Sequence, residues 1–223
     1  MEPTMKSDQT TESTLLILEI FHSLQGEGPW AGLPATFIRL AGCIEPFCPW
    51  CDTPYALGGG EEMSISSALE SVRSRPGSRV VITGGEPFCQ WERGLSQLHE
   101  ALVSQGCEVQ YETSGKAGIP DVKDALVVCS PKFLDRAWRF DPKDRERVDF
   151  FKFLAAGSDW PEAIDGFVEK HGIDHDRVYV MALGATRQEQ IRGMKDVFAF
   201  CAARGYRMSP RLHVLAFDTE RGV

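Results

Sequence analysis

Cys43-Ile44-Glu45-Pro46-Phe47-Cys48-Pro49-Trp50-Cys51-Asp52-Thr53 sets three thiols within nine residues, directly after the apolar run Pro34-Ala35-Thr36-Phe37-Ile38-Arg39-Leu40. That pattern is a metal-binding loop at the end of a strand. Thiolates hold iron-sulfur clusters, and a cubane [4Fe-4S] ordinarily takes four of them. No fourth cysteine lies near the loop, the next being Cys89. One iron would then keep an open position, much as an open position separates a catalytic zinc from a structural one. Two other readings fit the same residues. One is a zinc knuckle completed by Asp52 or a distant histidine, and the other is plain buried cysteines.

Working outward, 223 residues suit a single domain with a substantial core. We expect a disordered leader over residues 1–13, which are polar and aperiodic, and one domain over 14–223. Lys and Arg number 24 against 32 Asp and Glu, a net charge of -8 that argues against a phosphate-tracking surface and hence a nucleic-acid partner. No 18-residue apolar stretch predicts a membrane span, and the N-terminus lacks the basic-then-apolar order of a signal peptide, so the expectation is cytoplasmic. Seven cysteines, an odd count, fit reduced thiols better than a disulfide framework. Cys89, Cys107, Cys129 and Cys201 stand singly beside apolar segments and read as core filler.

Extended runs are expected at Leu15 to Phe21, Ala35 to Leu40, Arg79 to Thr83, Glu108 to Thr113, Ala125 to Cys129, Phe150 to Leu154, Arg177 to Ala182 and Arg207 to Leu212. Helices are expected from Ile65 to Arg75 behind a Ser64 cap, from Trp91 to Gln105, from Pro161 to Lys170 and from Thr186 to Arg204. Asp135 to Asp149 is densely charged and reads as a solvated loop or frayed helix. Alternating strands and helices imply β-α-β units, too few for eight, and therefore a partial, open TIM-like β/α barrel with about six parallel strands. The polar motifs each follow an expected strand, so they should converge at the carboxyl ends, where such sheets bind ligands.

The cysteine loop resembles that of radical S-adenosylmethionine (SAM) enzymes, usually C-x3-C-x2-C with an aromatic before the last cysteine, here Trp50. This chain has one residue more between Cys43 and Cys48. Within that superfamily it is similar to the 7-carboxy-7-deazaguanine synthases. The matching stretches are Ser23-Leu24-Gln25-Gly26-Glu27-Gly28, Phe37 to Cys43, Cys51-Asp52-Thr53, Thr83-Gly84-Gly85-Glu86-Pro87, Glu112 to Gly115, Ser130-Pro131-Lys132 and Leu212-His213. They run in family order through nearly the whole chain. The resemblance implies a barrel of the radical SAM type, a [4Fe-4S] cluster on Cys43, Cys48 and Cys51, and SAM chelating the open iron. Trp50, Cys51 and Asp52 would border SAM with Gly84, Gly85 and Glu86, and with Ser130, Pro131 and Lys132. The implied reaction turns 6-carboxy-5,6,7,8-tetrahydropterin into 7-carboxy-7-deazaguanine with loss of ammonia, for queuosine or another 7-deazapurine.

For that pterin the resemblance implies contacts from Leu24, Gln25, Gly26, Glu27, Arg39, Thr83 and His213, with Glu27 and Arg39 the candidate catalytic side chains besides the cysteines. It further implies the C-terminal carboxylate at Val223, Mg2+ at Thr53, an electron donor such as flavodoxin or ferredoxin, and a homodimer. Without the resemblance, Arg39 is as readily a surface charge as a ligand, because strand alternation leaves its direction open. His213 is equally a core histidine, and Lys132 a surface lysine. Two alternatives stay open: a glycyl-radical-enzyme activase of the same superfamily, and a non-enzymatic zinc or redox module. Anaerobic reconstitution separates the enzyme from the module by its iron and sulfide.

Overall fold

The computed structural model describes residues 13–223, so the leader expected over 1–13 lies, but for Ser13, outside the described residues. Strands β1 (Thr14–Leu24) and β2 (Pro34–Leu40) form where β-branched, leucine and aromatic side chains dominate, and they pair antiparallel with an irregularity between Ile17 and Glu19. Next comes β3 (Glu61–Ser64), antiparallel to the far side of β1; its charged sequence carries no apolar alternation to mark it. Then follow β4 (Arg79–Gly84), β5 (Glu108–Thr113), β6 (Ala125–Cys129), the hairpin β7 (Lys132–Leu134) and β8 (Ala137–Arg139), β9 (Phe150–Ala155), β10 (Val178–Ala182) and β11 (Arg207–Met208).

The main sheet runs β11-β10-β9-β6-β5-β4-β2-β1-β3, and each neighbouring pair from β2 to β11 is parallel. The order does not return on itself, so the barrel is open, as expected. Seven strands are parallel rather than about six, the last contributing only two residues. Helices α1 (Ile65–Arg73), α2 (Ser96–Ser104), α3 (Trp160–His171), α4 (Arg187–Arg204) and α5 (Leu212–Phe217) complete the chain. Ser64 caps α1 by accepting from Ser67 N, and Thr186 with Glu189 forms a capping box on α4.

Three expectations change. The helix expected from Trp91 is interrupted at Gly94, whose φ of 149° only glycine adopts readily, so α2 starts at Ser96 after a wide turn. The charged stretch after Asp135 is not simply solvated. Asp135 and Arg136, at φ 52° and 57°, make the tight turn of the β7–β8 hairpin, and Trp138 and Phe140 anchor it on Phe153 and Phe167. Finally, the last strand stops at Met208. Pro210 has no N–H for a ladder, and Leu212 and His213 fall in α5.

Period two assigns the two faces of the sheet. Ile38 and Leu40 of β2, Val80 and Ile82 of β4, Val109 and Tyr111 of β5, and Phe151 and Phe153 of β9 join the core under the helices. Each fully buried side chain of this size contributes about 1.5–3 kcal/mol. The intervening residues therefore point to the other, concave face. Phe37, Arg39, Val81, Thr83, Glu112, Lys152 and Leu154 all line the cavity there.

Candidate active site

That cavity, about 460 Å³, lies where the strands' carboxyl ends meet and is within the roughly 300–1,000 Å³ of small-molecule sites. Alternation settles Arg39, which points inward. Its anionic partner is already present: Nε donates to Glu19 Oε1 at 2.6 Å across the β1–β2 pair, and the guanidinium lies 5.8 Å from the Phe21 ring centre. Among the described residues the Nη atoms of Arg39 have no hydrogen-bond partner, so the outer edge of the fork stays available to a carboxylate.

The opposite wall is ionic and buried. Lys152 leaves β9 with its side chain 6% exposed, and its ammonium donates to Glu27 Oε2 and Glu112 Oε2, each at 2.7 Å. Arg211 donates from Nε to Glu27 Oε1 at 2.8 Å, from Nη1 to Gly184 O at 2.8 Å and from Nη2 to Asp52. Gln25 and Gln110 donate to Glu112 Oε1 at 3.1 and 2.7 Å. Burial pushes the Glu27 carboxyl up, but Lys152, Arg211 and His213 outweigh it and hold it well below the usual carboxylate range. In Glu112 burial wins with help from Glu27, and its carboxyl is raised despite Lys152. Burial likewise opposes the Lys152 charge, yet Glu112 and Glu27 hold the ammonium well above the usual lysine range. Lys152 and Arg211 are absent from the sequence-based site. The available signal was a lysine inside Phe150-Phe151-Lys152-Phe153-Leu154, a charge in an apolar run as Arg39 is in Pro34 to Leu40.

Glu86 departs from expectation. Its carboxylate is fully buried and accepts from Thr113 Oγ1 at 2.6 Å, Ser114 N at 2.9 Å and Ser114 Oγ, so it fastens the turn after β4 to the end of β5. It does not line the cavity; neither does Pro131, which instead borders a minor cleft behind Trp50. Gly84 and Gly85 do line it, but their need for glycine comes from the chain itself. A Cβ would stand 2.1 Å from Leu40 O at Gly84 and 1.9 Å from Gly42 O at Gly85. The Thr83–Glu86 turn is thus pressed against the start of the cysteine loop, where Glu86 N donates to Gly42 O at 2.8 Å.

Cys43, Cys48 and Cys51 are unpaired, half-buried and all open on the cavity with Trp50, Asp52 and Thr53. Burial pushes the Cys43 thiol up, while the Ile44 backbone and the charge of Lys116 pull it down. Among the described residues, no three His, Cys, Asp or Glu side chains gather as a metal-holding group. Three unpaired sulfur side chains bordering one cavity are the soft donor type that an iron-sulfur cluster takes. Trp50 Nε1 is buried without a partner among the described residues, a free donor beside that space. Thr53 Oγ1 lies 3.7 Å from Cys51 Sγ and offers one oxygen for a cation.

Ser130 and Lys132 also face the cavity, with Lys132 Nζ donating to Ser130 Oγ at 2.8 Å; burial lowers the lysine's affinity for its proton. Gln25, Gly26 and half-exposed Leu24 complete the rim at the end of β1. Gly26 is needed for packing, because a Cβ there would meet His213 Nδ1 at 2.2 Å, and Leu212 N donates to Gly26 O at 3.0 Å. His213 thus reaches the cavity from the first turn of α5, and burial lowers its pKa although Glu27 opposes this. Arg187 holds the end of α5 by donating to Leu215 O and Ala216 O, both at 2.7 Å. Beyond α5 the tail folds over the mouth: Arg221 stacks 4.0 Å from the Tyr55 ring centre, and Val223 borders the cavity.

No protein-family model matches the chain. A protein of Pyrobaculum aerophilum named 7-carboxy-7-deazaguanine synthase is 35% identical over 216 residues, covering 92% of this chain and 96% of that protein. Proteins of the same name from Hyperthermus butylicus and Rhodospirillum rubrum are 35% and 32% identical, covering 91% and 95% of this chain and 93% and 95% of theirs. The crystal structure of QueE from Escherichia coli superposes with a TM-score of 0.76 at 27% identity, covering 90% of this chain and 95% of that one. No described helix is long and apolar enough to cross a membrane. With the open parallel barrel and three thiols on one cavity, these likenesses settle the relationship: the chain belongs to the 7-carboxy-7-deazaguanine synthase family of radical SAM enzymes.

Proposed function

We propose that the cavity binds 6-carboxy-5,6,7,8-tetrahydropterin and converts it to 7-carboxy-7-deazaguanine with release of ammonia, in queuosine or other 7-deazapurine biosynthesis. The observation that carries this reading is one cavity bordered by three unpaired thiols, an inward Arg39 and the part-buried acid Glu27. Cys43, Cys48 and Cys51 hold the cluster, and SAM lies against Trp50, Asp52, Ser130 and Lys132. When bound, a reduced [4Fe-4S] cluster and SAM supply the one-electron chemistry that removes hydrogen from C6 of the pterin.

The chain's own part is binding, orientation and exclusion of water. Arg39, steadied by Glu19, presents its fork to the substrate carboxylate. Glu27, kept ionised by Lys152 and Arg211, accepts from the amino and ring N–H edge of the pterin, and Gln25 and His213 border it. Thr53 provides one ligand to Mg2+, the rest coming from substrate and water. Glu86 and Pro131 take no direct part. A flavodoxin or ferredoxin supplies the electron and two copies of the chain associate, both carried over from the resemblance. Residues 14–223 act as one domain, supported by the continuous sheet.

The test is anaerobic incubation of cluster-loaded protein with SAM, reductant, Mg2+ and the carboxy-tetrahydropterin, with mass detection of the deazaguanine. Product from the wild type and none from Cys43→Ala, Cys48→Ala or Cys51→Ala is the expected result. No product from a fully loaded wild type would sink the assignment.

A further inference from the structure

Lys116 follows the turn at the end of β5, and its Nζ donates to Ile44 O at 2.6 Å and Pro46 O at 2.8 Å. Both carbonyls belong to the four residues between Cys43 and Cys48, where this chain carries one residue more than C-x3-C. Lengthening a tight loop turns carbonyls out of regular structure; the part-buried Ile44 carbonyl costs free energy unless a donor meets it, and the exposed Pro46 carbonyl gives the same ammonium a second anchor. An ammonium has three N–H donors and makes charge-assisted bonds, so one lysine can serve both. Lys116 also lines the cavity, and its charge reaches Cys43.

We propose that Lys116 is a positioning residue for the cluster loop. It clamps the lengthened segment so that Cys43 and Cys48 are held in place before any metal arrives. Its fixed positive charge then favours the reduced cluster, which carries one more negative charge than the oxidised one. The proposal rests on reading the loop as a cluster site, deepening that reading for the feature in which this chain departs from the usual spacing.

The experiment compares Lys116→Met and Lys116→Gln with Lys116→Arg, which keeps both charge and donors. In metal-free protein, amide hydrogen exchange over residues 44–51 should quicken about tenfold or more in the Met and Gln variants and stay near wild type in the Arg variant. In reconstituted protein, the one-electron reduction equilibrium followed by electron paramagnetic resonance should fall about tenfold, roughly 59 mV lower, in the Met and Gln variants and recover in the Arg variant. Unchanged exchange overturns the clamp, and an unchanged potential overturns the electrostatic role. Two neutral variants keep the test decisive if one folds poorly. Neither readout involves the pterin. Shifts in both without deazaguanine from the wild type would therefore overturn the proposed reaction and leave Lys116 standing; product formation without either shift would do the reverse.

Discussion

Two acids near the strand ends, one buried and one part-buried, are kept in opposite ways. Glu86 is met only by neutral donors among the described residues, a threonine hydroxyl, a serine hydroxyl and backbone N–H, and does not line the cavity. Glu27 is met by an ammonium and a guanidinium and borders the cavity. The first arrangement ties two strand ends together. The second keeps a full negative charge beside the ligand space, and removing one partner strands the others in a poorly solvating interior.

The hardest test of this contrast is Lys152→Met. Two part-buried acids would lose their shared, buried cation, costing about 3–5 kcal/mol, and denaturant unfolding should show the loss along with severely impaired turnover. Glu86→Gln should cost less, about 1–3 kcal/mol, through mismatched neutral hydrogen bonds, with the unfolding midpoint falling more than the KM for SAM changes. A larger change in KM than in stability would return Glu86 to the ligand site.

Acidity separates the pair more finely. Because the folded Glu27 carboxyl titrates below its ordinary 4.5, its contribution is present above that pH and lost as pH falls below it. Glu112 has the opposite sign, its raised carboxyl contributing at low pH and losing that contribution as pH rises through the folded value. Stability against pH should therefore steepen below 4.5 in the wild type and in Glu86→Gln, and flatten in Lys152→Met. The smallest effect is expected from Arg39→Lys. It keeps a cation beside Glu19 but loses the planar fork, and KM for the pterin should rise roughly tenfold, about 1.4 kcal/mol, with stability nearly unchanged.

Much of this was legible in the sequence. The three-cysteine loop, the apolar strand runs and the motifs after them locate the cavity without coordinates, because strand-end placement follows from β-α-β connectivity. What stayed hidden depends on partners distant in the chain. Lys152 sits 125 positions from Glu27, and nothing local says that they meet. Glu86 is a SAM contact only by the resemblance over Thr83 to Pro87, which does not show that the two glycines there are required by the backbone of Leu40 and Gly42. Arg207 to Leu212 is partly apolar and reads as a strand leading to His213, but Pro210 ends the ladder and His213 comes from a helix.

The tie between Arg211 and Glu27 spans 184 positions, and that between Arg211 and Asp52 spans 159. At roughly 5–20 residues per second, a ribosome makes the three cysteines on the order of ten seconds before it makes the arginine that ties the end of their loop to Glu27. Iron delivered during synthesis would meet an untethered loop, whereas iron delivered after release would meet one already tied through Asp52 to Arg211.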